Sequence, residues 1–329
     1  MDPGLEIELK FHIPAGRLPD VVRDLGPAVT HHLEAVYVDT PDDRLASAGL
    51  AWRLRRDEGI WVQTLKAARS DSIVRLEHEV PHRGPHQPPL DPTLHAGSEV
   101  GRRLDDILTE GASPTERFRT EIERRLRVVR TAGSTIELAL DVGVIRAGGR
   151  TAEVCELELE LVEGVIGDLV ATAQQWARRH GLWIDTVTKS LIGTTLAAGR
   201  ATLPVAPCDD VDTDRHAAPH RRDDTAIRRR VDAYLRAICL NASAVARGYG
   251  HTAHVEMACE AMCRLGAALV DTDDPTIDPS WAGRLVDAAA RLGSAHGIDR
   301  TDLTALVLEL LTFVHGPAGS DITTHSTPP

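Results

Sequence analysis

Lysine is nearly missing from this chain. Of 329 residues, 37 are basic, and only three of those are lysine: Lys10, Lys66 and Lys189. Arginine carries positive charge everywhere else, so the lysines mark places where a compact ammonium, a point charge on phosphate oxygens, serves better than a planar guanidinium fork. Cysteine is sparse and odd in number (Cys155, Cys208, Cys239, Cys259, Cys263); that excludes a disulfide framework and fits a reducing compartment. No apolar run approaches the roughly 18 residues of a membrane-spanning helix. The opening MDPGLEIELK has neither a basic n-region nor an apolar h-region, so a cytoplasmic protein without a membrane partner is expected. Positive charge is in deficit as well. A formal net charge of −12 argues against a general DNA or RNA binder and confines any anion binding to a local site. With three Phe and three Tyr, aromatic stacking surfaces are few, and Trp52, Trp61 and Trp183 are the candidates that remain.

What is present from residue 5 to about 162 is a series of short alternating segments: LEIELKF, EAVYVDT, AWRLRR, WVQTLK, IVRLEHEV, RTEIERRLRVV, TIELALDVGVI and AEVCELELEL, separated by Gly, Pro and Asp clusters. They read as about eight strands. Helical spacing interrupts them in PAGRLPDVVRDL, SEVGRRLDDILTEG and GVIGDLVATAQQWARRHG, the last with Gly181 as its stop. The expected class is α+β, dominated by antiparallel strands. Residues 1–200 form the expected first domain, and 201–224, rich in Pro, Asp and His, the linker. Helices at about 225–247, 251–270, 279–294 and 299–315 make a small all-α domain over 225–316, followed by a disordered tail, 317–329.

The strand faces carry the chemistry. Period-two spacing puts Glu6, Glu8 and Lys10 on one face of the first strand and Leu5, Ile7, Leu9 and Phe11 on the other. Glu156, Glu158 and Glu160 repeat the pattern near the end of the strand region. Between them lie Arg53 with Arg55, Thr64 with Lys66, and Arg75 with Glu77 and Glu79. A lone run of this kind is an ordinary half-buried strand with a wet face. Here glutamates cluster in the first and last strands while arginine and lysine fill the middle ones. If the sheet closes with its aliphatic face outward, the charges converge on a polar lumen. Carboxylates at that density need cations, and oxygen-only ligands suit Mg²⁺ or Mn²⁺ rather than zinc. The basic walls need an anion. A metal-chelated chain of phosphates meets both demands.

These residues resemble the CYTH family of triphosphate tunnel metalloenzymes. The resemblance covers roughly residues 5–200 and rests on Glu6-x-Glu8-x-Lys10, YVDTPDDRLASAGLAWRLRR, WVQTLK and Arg75-x-Glu77-x-Glu79. It continues through Phe118-x-Thr120 followed by Arg124, Asp141-x-Gly143, Glu156-x-Glu158-x-Glu160 and Lys189-Ser190. It implies an eight-stranded antiparallel β-barrel enclosing a tunnel. By the resemblance, Glu6, Glu8, Glu158 and Glu160 coordinate the divalent metal, and Asp141 with Glu77 or Glu79 supports the metal or its water. Lys10, Arg53, Arg55, Lys66, Arg75 and Arg124 grip the phosphates, and Lys189 closes the tunnel. Members hydrolyse inorganic triphosphate, thiamine triphosphate or RNA 5′-triphosphate ends, or cyclise ATP. Inorganic triphosphate is the expected substrate; a non-catalytic triphosphate or polyphosphate sensor, a class IV-type adenylyl cyclase and a thiamine triphosphatase are the alternatives. HVEMACEAMCRLGAAL is similar to the opening helix of CHAD domains, which bind polyphosphate, but Met257, Ala261 and Met262 stand where that helix has arginines. The helical segment is expected to pack on the barrel or on a second copy, giving a possible homodimer. Cys259 and Cys263, four apart on that helix, read as packing residues rather than a zinc site.

Overall fold

A computed structural model of the chain describes residues 5–68, 73–82, 84, 86–108, 113–208, 224–272, 274–293, 300–316 and 324–325. The strands are β1 (Leu5–His12), β2 (Val29–Asp39), β3 (Leu50–Asp57), β4 (Ile60–Ala68), β5 (Val74–His82), β6 (Thr115–Arg130), β7 (Thr135–Ala147) and β8 (Arg150–Gly164). All eight coincide with the alternating segments of the sequence. They pair antiparallel in the order β1-β5-β4-β3-β2-β6-β7-β8, and β8 pairs again with β1, Glu8 opposite Glu160 and Lys10 opposite Glu158. The sheet is therefore a closed eight-stranded barrel, which leaves none of these strands as a free edge. A two-residue strand, β9 (Trp183–Ile184), adds to the far end of β1.

Helices α1 (Leu18–Leu25), α2 (Arg44–Ser47), α3 (Glu99–Ile107), α4 (Ile166–His180) and α5 (Lys189–Ala197) decorate the barrel. α4 stops where the sequence said it would, at Gly181 in the left-handed conformation (φ 61°). The later helices are α6 (Asp224–Ala246), α7 (Thr252–Val270), α8 (Ser280–Leu292) and α9 (Arg300–His315). The outward face of β1 and β8 (Ile7, Leu9, Leu157, Leu159), the inner face of α4 (Leu169, Ala173) and α6 and α9 (Val231, Leu235, Leu308, Leu311) join in one contiguous apolar core. The helices thus pack on the barrel and bury a face that would otherwise be wet. Within α7, Ala261 and Met262 are fully buried in that core, so arginine has no room at those positions. Most of the linker, 209–223, and the tail apart from residues 324 and 325, which pair with β8 at Gly164 and Glu163, lie outside the described residues.

Candidate functional site: a charged barrel lumen

Closure turns the alternation of each strand into an inside and an outside. Ile7, Leu9 and Phe11 point out into the core, while Glu6, Glu8 and Lys10 point into a cavity of about 630 Å³ running through the barrel. The cavity is also lined by Arg53 and Arg55 of β3, Lys66 of β4, Arg75, Glu77 and Glu79 of β5, Arg124 of β6, Glu156, Glu158 and Glu160 of β8, and Lys189 of α5. The lumen thus gathers every charged residue to which the sequence assigned a site role except Asp141, which is fully buried behind the wall and acts on the cavity through its partners.

The charges pair in a pattern that divides the lumen. On one side Lys189 Nζ reaches Asp141 Oδ2 at 2.7 Å, Glu158 Oε1 at 3.0 Å and Glu156 Oε1. Arg124 holds both oxygens of Asp141, at 2.6 and 2.7 Å, and Glu158 Oε2 at 2.6 Å. Lys10 Nζ lies 3.5 Å from Glu156 and donates to the Val187 carbonyl. Asp141, Glu156 and Glu158 bring ligand oxygens within 4.8 Å of one another, yet each already faces a cation. Burial opposes ionisation of Glu158, but Lys189 and Arg124 overcome it and hold the carboxyl well below its usual range.

Across the barrel the balance is incomplete. Lys66 Nζ serves two carboxylates, Glu6 at 2.8 Å and Glu77 at 3.0 Å. Burial, with repulsion from Glu6 and Glu79, pushes Glu77 up to about 8 in spite of Lys66. Glu160 takes part in no ion pair among the described residues, and burial together with Glu6 and Glu137 pushes it up to about 8. Glu8 Oε1 lies 2.5 Å from Arg75 Nη1, an ion pair that makes no hydrogen bond to this buried oxygen among the described residues; burial, Glu6 and Glu158 raise this carboxyl in spite of Arg75. The basic wall has the converse deficit. Arg53 and Arg55 share Glu79 at 3.8 and 3.5 Å, and the Nε of each is buried without an acceptor among the described residues. Burial notwithstanding, these guanidiniums and a hydrogen bond from Thr64 Oγ1 hold Glu79 down at about 2.

Glu156 at the lumen, and Asp185 and Arg247 behind its wall, are among the residues that escaped the sequence-based assignment of site roles. Glu156 carried a legible signal, its period-two spacing with Glu158 and Glu160. Asp185 and Arg247 carried none, because they meet each other and Glu156 only through tertiary structure. The tryptophans require a correction: Trp52, Trp61 and Trp183 all lie off the cavity. Trp52 is buried outside the wall, edge-on to His95, and Trp183 packs on His12. Among the described residues, the phenyl or indole-type ring at the cavity is that of Tyr37, stacked on Phe118 at 4.4 Å with its hydroxyl accepting from Arg53 at 3.3 Å.

Residues 4–191 match the CYTH domain; the match ends before the helices from α6 onward. Among solved structures, the chain resembles a Hippeastrum protein studied as a candidate adenylyl cyclase and described as having a dominant triphosphatase activity. Identity is 20%, coverage 59% of this chain and 96% of that one, and the TM-score 0.40. A Bacillus halodurans protein described as a candidate adenylate cyclase matches at 18% identity over 54% of this chain and 91% of its own, with TM-score 0.40. A protein described as an inorganic triphosphatase matches at 18% identity over 47% and 72%, with TM-score 0.20. No helix among the described residues is long and apolar enough to cross a membrane.

Proposed function

The chain belongs to the CYTH family, and from that premise we propose that it hydrolyses inorganic triphosphate, with a divalent metal, inside the barrel lumen. The observation that carries this reading is the double deficit of the lumen. Among the described residues, Arg53 and Arg55 have buried Nε donors without acceptors, while Glu8 has Arg75 as its one ion-pair partner and Glu160 has none. Phosphate oxygens supply what the arginines lack, and a hard divalent cation what the glutamates lack. One ligand, a metal-chelated triphosphate, supplies both.

The donor set fits Mg²⁺ or Mn²⁺, since only carboxylate oxygens converge there. Glu8 and the facing Glu160, flanked by Glu6 and Glu158, would hold it. When bound, such an ion polarises phosphate oxygens and lowers the pKa of a coordinated water. The remaining work belongs to the chain. Lys66, Arg53, Arg55 and Arg75 line one side of the cavity and Lys10, Arg124 and Lys189 the other, so a chain of phosphates between them is fixed in line by charge-assisted bonds from two walls. Glu77, pushed up to about 8 and not among the residues that would hold the metal, is the carboxyl placed to exchange a proton with an attacking water near neutral pH.

Ring-bearing substrates gain no support from this lumen. The tryptophans face away, and Tyr37 is already committed to Phe118 and Arg53. Phosphate release from inorganic triphosphate, ATP and thiamine triphosphate, each with Mg²⁺ or Mn²⁺, is the test. The expected outcome is the highest kcat/KM for inorganic triphosphate. Cyclic AMP as the main product from ATP, or a higher kcat/KM for thiamine triphosphate, would replace this reading. Tight binding of triphosphate without turnover would make the lumen a sensor.

A further inference from the structure

We infer that Arg247, which follows α6 in the helical region outside the CYTH match, is a positioning residue of the tunnel. It would set Lys10 and Glu156 through the buried Asp185. This rests on reading the lumen as a triphosphate site.

Arg247 lies 91 residues from Glu156 in sequence, and its side chain is 4% exposed. Its Nε donates to Asp185 Oδ2 at 2.7 Å, and its Nη2 donates to Glu156 Oε2 at 2.9 Å and also to Asp185. Asp185 in turn organises the turn that leads into α5. Its Oδ1 accepts from the Val187 N–H at 2.9 Å, and its own N–H donates to the Lys10 carbonyl at 2.8 Å. From that turn the Val187 carbonyl accepts from Lys10 Nζ. One residue on, Thr188 caps α5, whose first residue is Lys189. One guanidinium therefore anchors the segment that aims two of the three lysines into the lumen. The rigid guanidinium donates to Asp185 from both Nε and Nη2 and to Glu156 from Nη2, a fixed planar geometry that a single ammonium nitrogen does not reproduce.

An independent observation places the same helix at the cavity: Arg236 and Leu240 of α6 line it. The region beyond the matched domain is thus part of the tunnel wall.

The consequence of losing Arg247 follows from distances. Asp185, with a fully buried side chain, would keep Lys10 as its neighbouring cation, now 3.9 Å away, whereas Lys10 sits 3.5 Å from Glu156. An unpaired buried carboxylate is strongly disfavoured, so Lys10 is drawn off Glu156 toward Asp185. The lumen then loses an aligned ammonium without losing any residue that touches substrate.

The test is calorimetric titration of inorganic triphosphate into the full-length, metal-free chain, where no turnover intrudes, alongside kcat and KM with Mn²⁺. Arg247→Ala is expected to weaken triphosphate binding about 10- to 100-fold, the scale typical of removing a supporting partner behind a site. Arg247→Lys should recover part of it. Adding Asp185→Asn to Arg247→Ala removes the charge that draws Lys10 away and should restore affinity. Affinity equal to wild type in Arg247→Ala, or a double variant binding no better than the single one, would reduce Arg247 to a structural tie. If Arg247→Ala does not fold, Arg247→Lys decides: affinity several-fold weaker than wild type supports the role, and unchanged affinity overturns it. Wild-type chain that binds triphosphate without hydrolysing it would sink the proposed function and leave the Arg247 comparison intact. Wild-type chain that neither binds triphosphate metal-free nor turns it over with Mn²⁺ would sink the reading of the lumen and this role together.

Discussion

Glu160→Gln is expected to make the metal-free chain more stable and the enzyme nearly inactive. Glu160 faces Glu8 across the β1–β8 seam and Glu137 across the β7–β8 pair, with no cation partner among the described residues. Burial and these like charges push its carboxyl up to about 8. A carboxyl raised in the folded state binds a proton there that the unfolded chain has already released. Stability therefore falls as pH rises from about 4.5 to about 8 and levels off above. Metal-free wild type should melt at progressively lower temperature between pH 5.5 and 8.5, and Glu160→Gln should show a shallower fall and a higher melting temperature at pH 8. Activity should move the other way. An amide cannot replace an anionic ligand, so phosphate release should drop on the order of 10³-fold, about 4 kcal/mol of transition-state stabilisation. Near-normal kcat with unaltered metal dependence would remove Glu160 from the metal site.

Lys189→Met should produce the largest loss of stability in the lumen, about 3–5 kcal/mol in denaturant titrations performed in chelator. Its ammonium sits among Asp141, Glu156 and Glu158, whose ligand oxygens lie within 4.8 Å of one another. Without it, Arg124 still covers Asp141 and Glu158, and Lys10 and Arg247 still cover Glu156, but the acidic cluster loses the one cation among the described residues that pairs with all three. A divalent ion is the natural replacement. Mg²⁺ or Mn²⁺ should therefore stabilise Lys189→Met by more than it stabilises wild type. Equal metal stabilisation of the two, or a variant as stable as wild type in chelator, would show that the cluster tolerates its own repulsion.

The barrel was legible because charge made the alternation conspicuous. In Glu6-x-Glu8-x-Lys10 every second residue is ionic and every other one aliphatic, so the parity that places Leu9 in the core also places Glu8 in the lumen. The same parity, applied to Trp52 beside Arg53, would have turned that tryptophan outward; scarcity of aromatics drew attention to it instead. α5 was not legible as a helix. KSLIGTTLA has two threonines and a glycine within nine residues, poor helix formers all. The glycine is there for packing: a Cβ at Gly193 would lie 2.3 Å from the Phe118 ring, which stacks on Tyr37 at the cavity. Lys189 was found as part of a motif, while the Thr188 cap that aims it was not. Arg247 was out of reach for a plainer reason. One arginine among many, on a helical segment with no charge pattern of its own, becomes a tunnel residue only when α6 folds back on the barrel and meets Asp185.

On the proposed function, the lumen's carboxylates work through a divalent cation on a triphosphate. The most direct measurement is the initial rate of phosphate release from inorganic triphosphate by chain stripped with excess EDTA, before and after Mg²⁺ or Mn²⁺ is restored. No release above background in chelator, and recovery on adding either ion, is the predicted result. An undiminished rate in chelator after verified metal removal would contradict it.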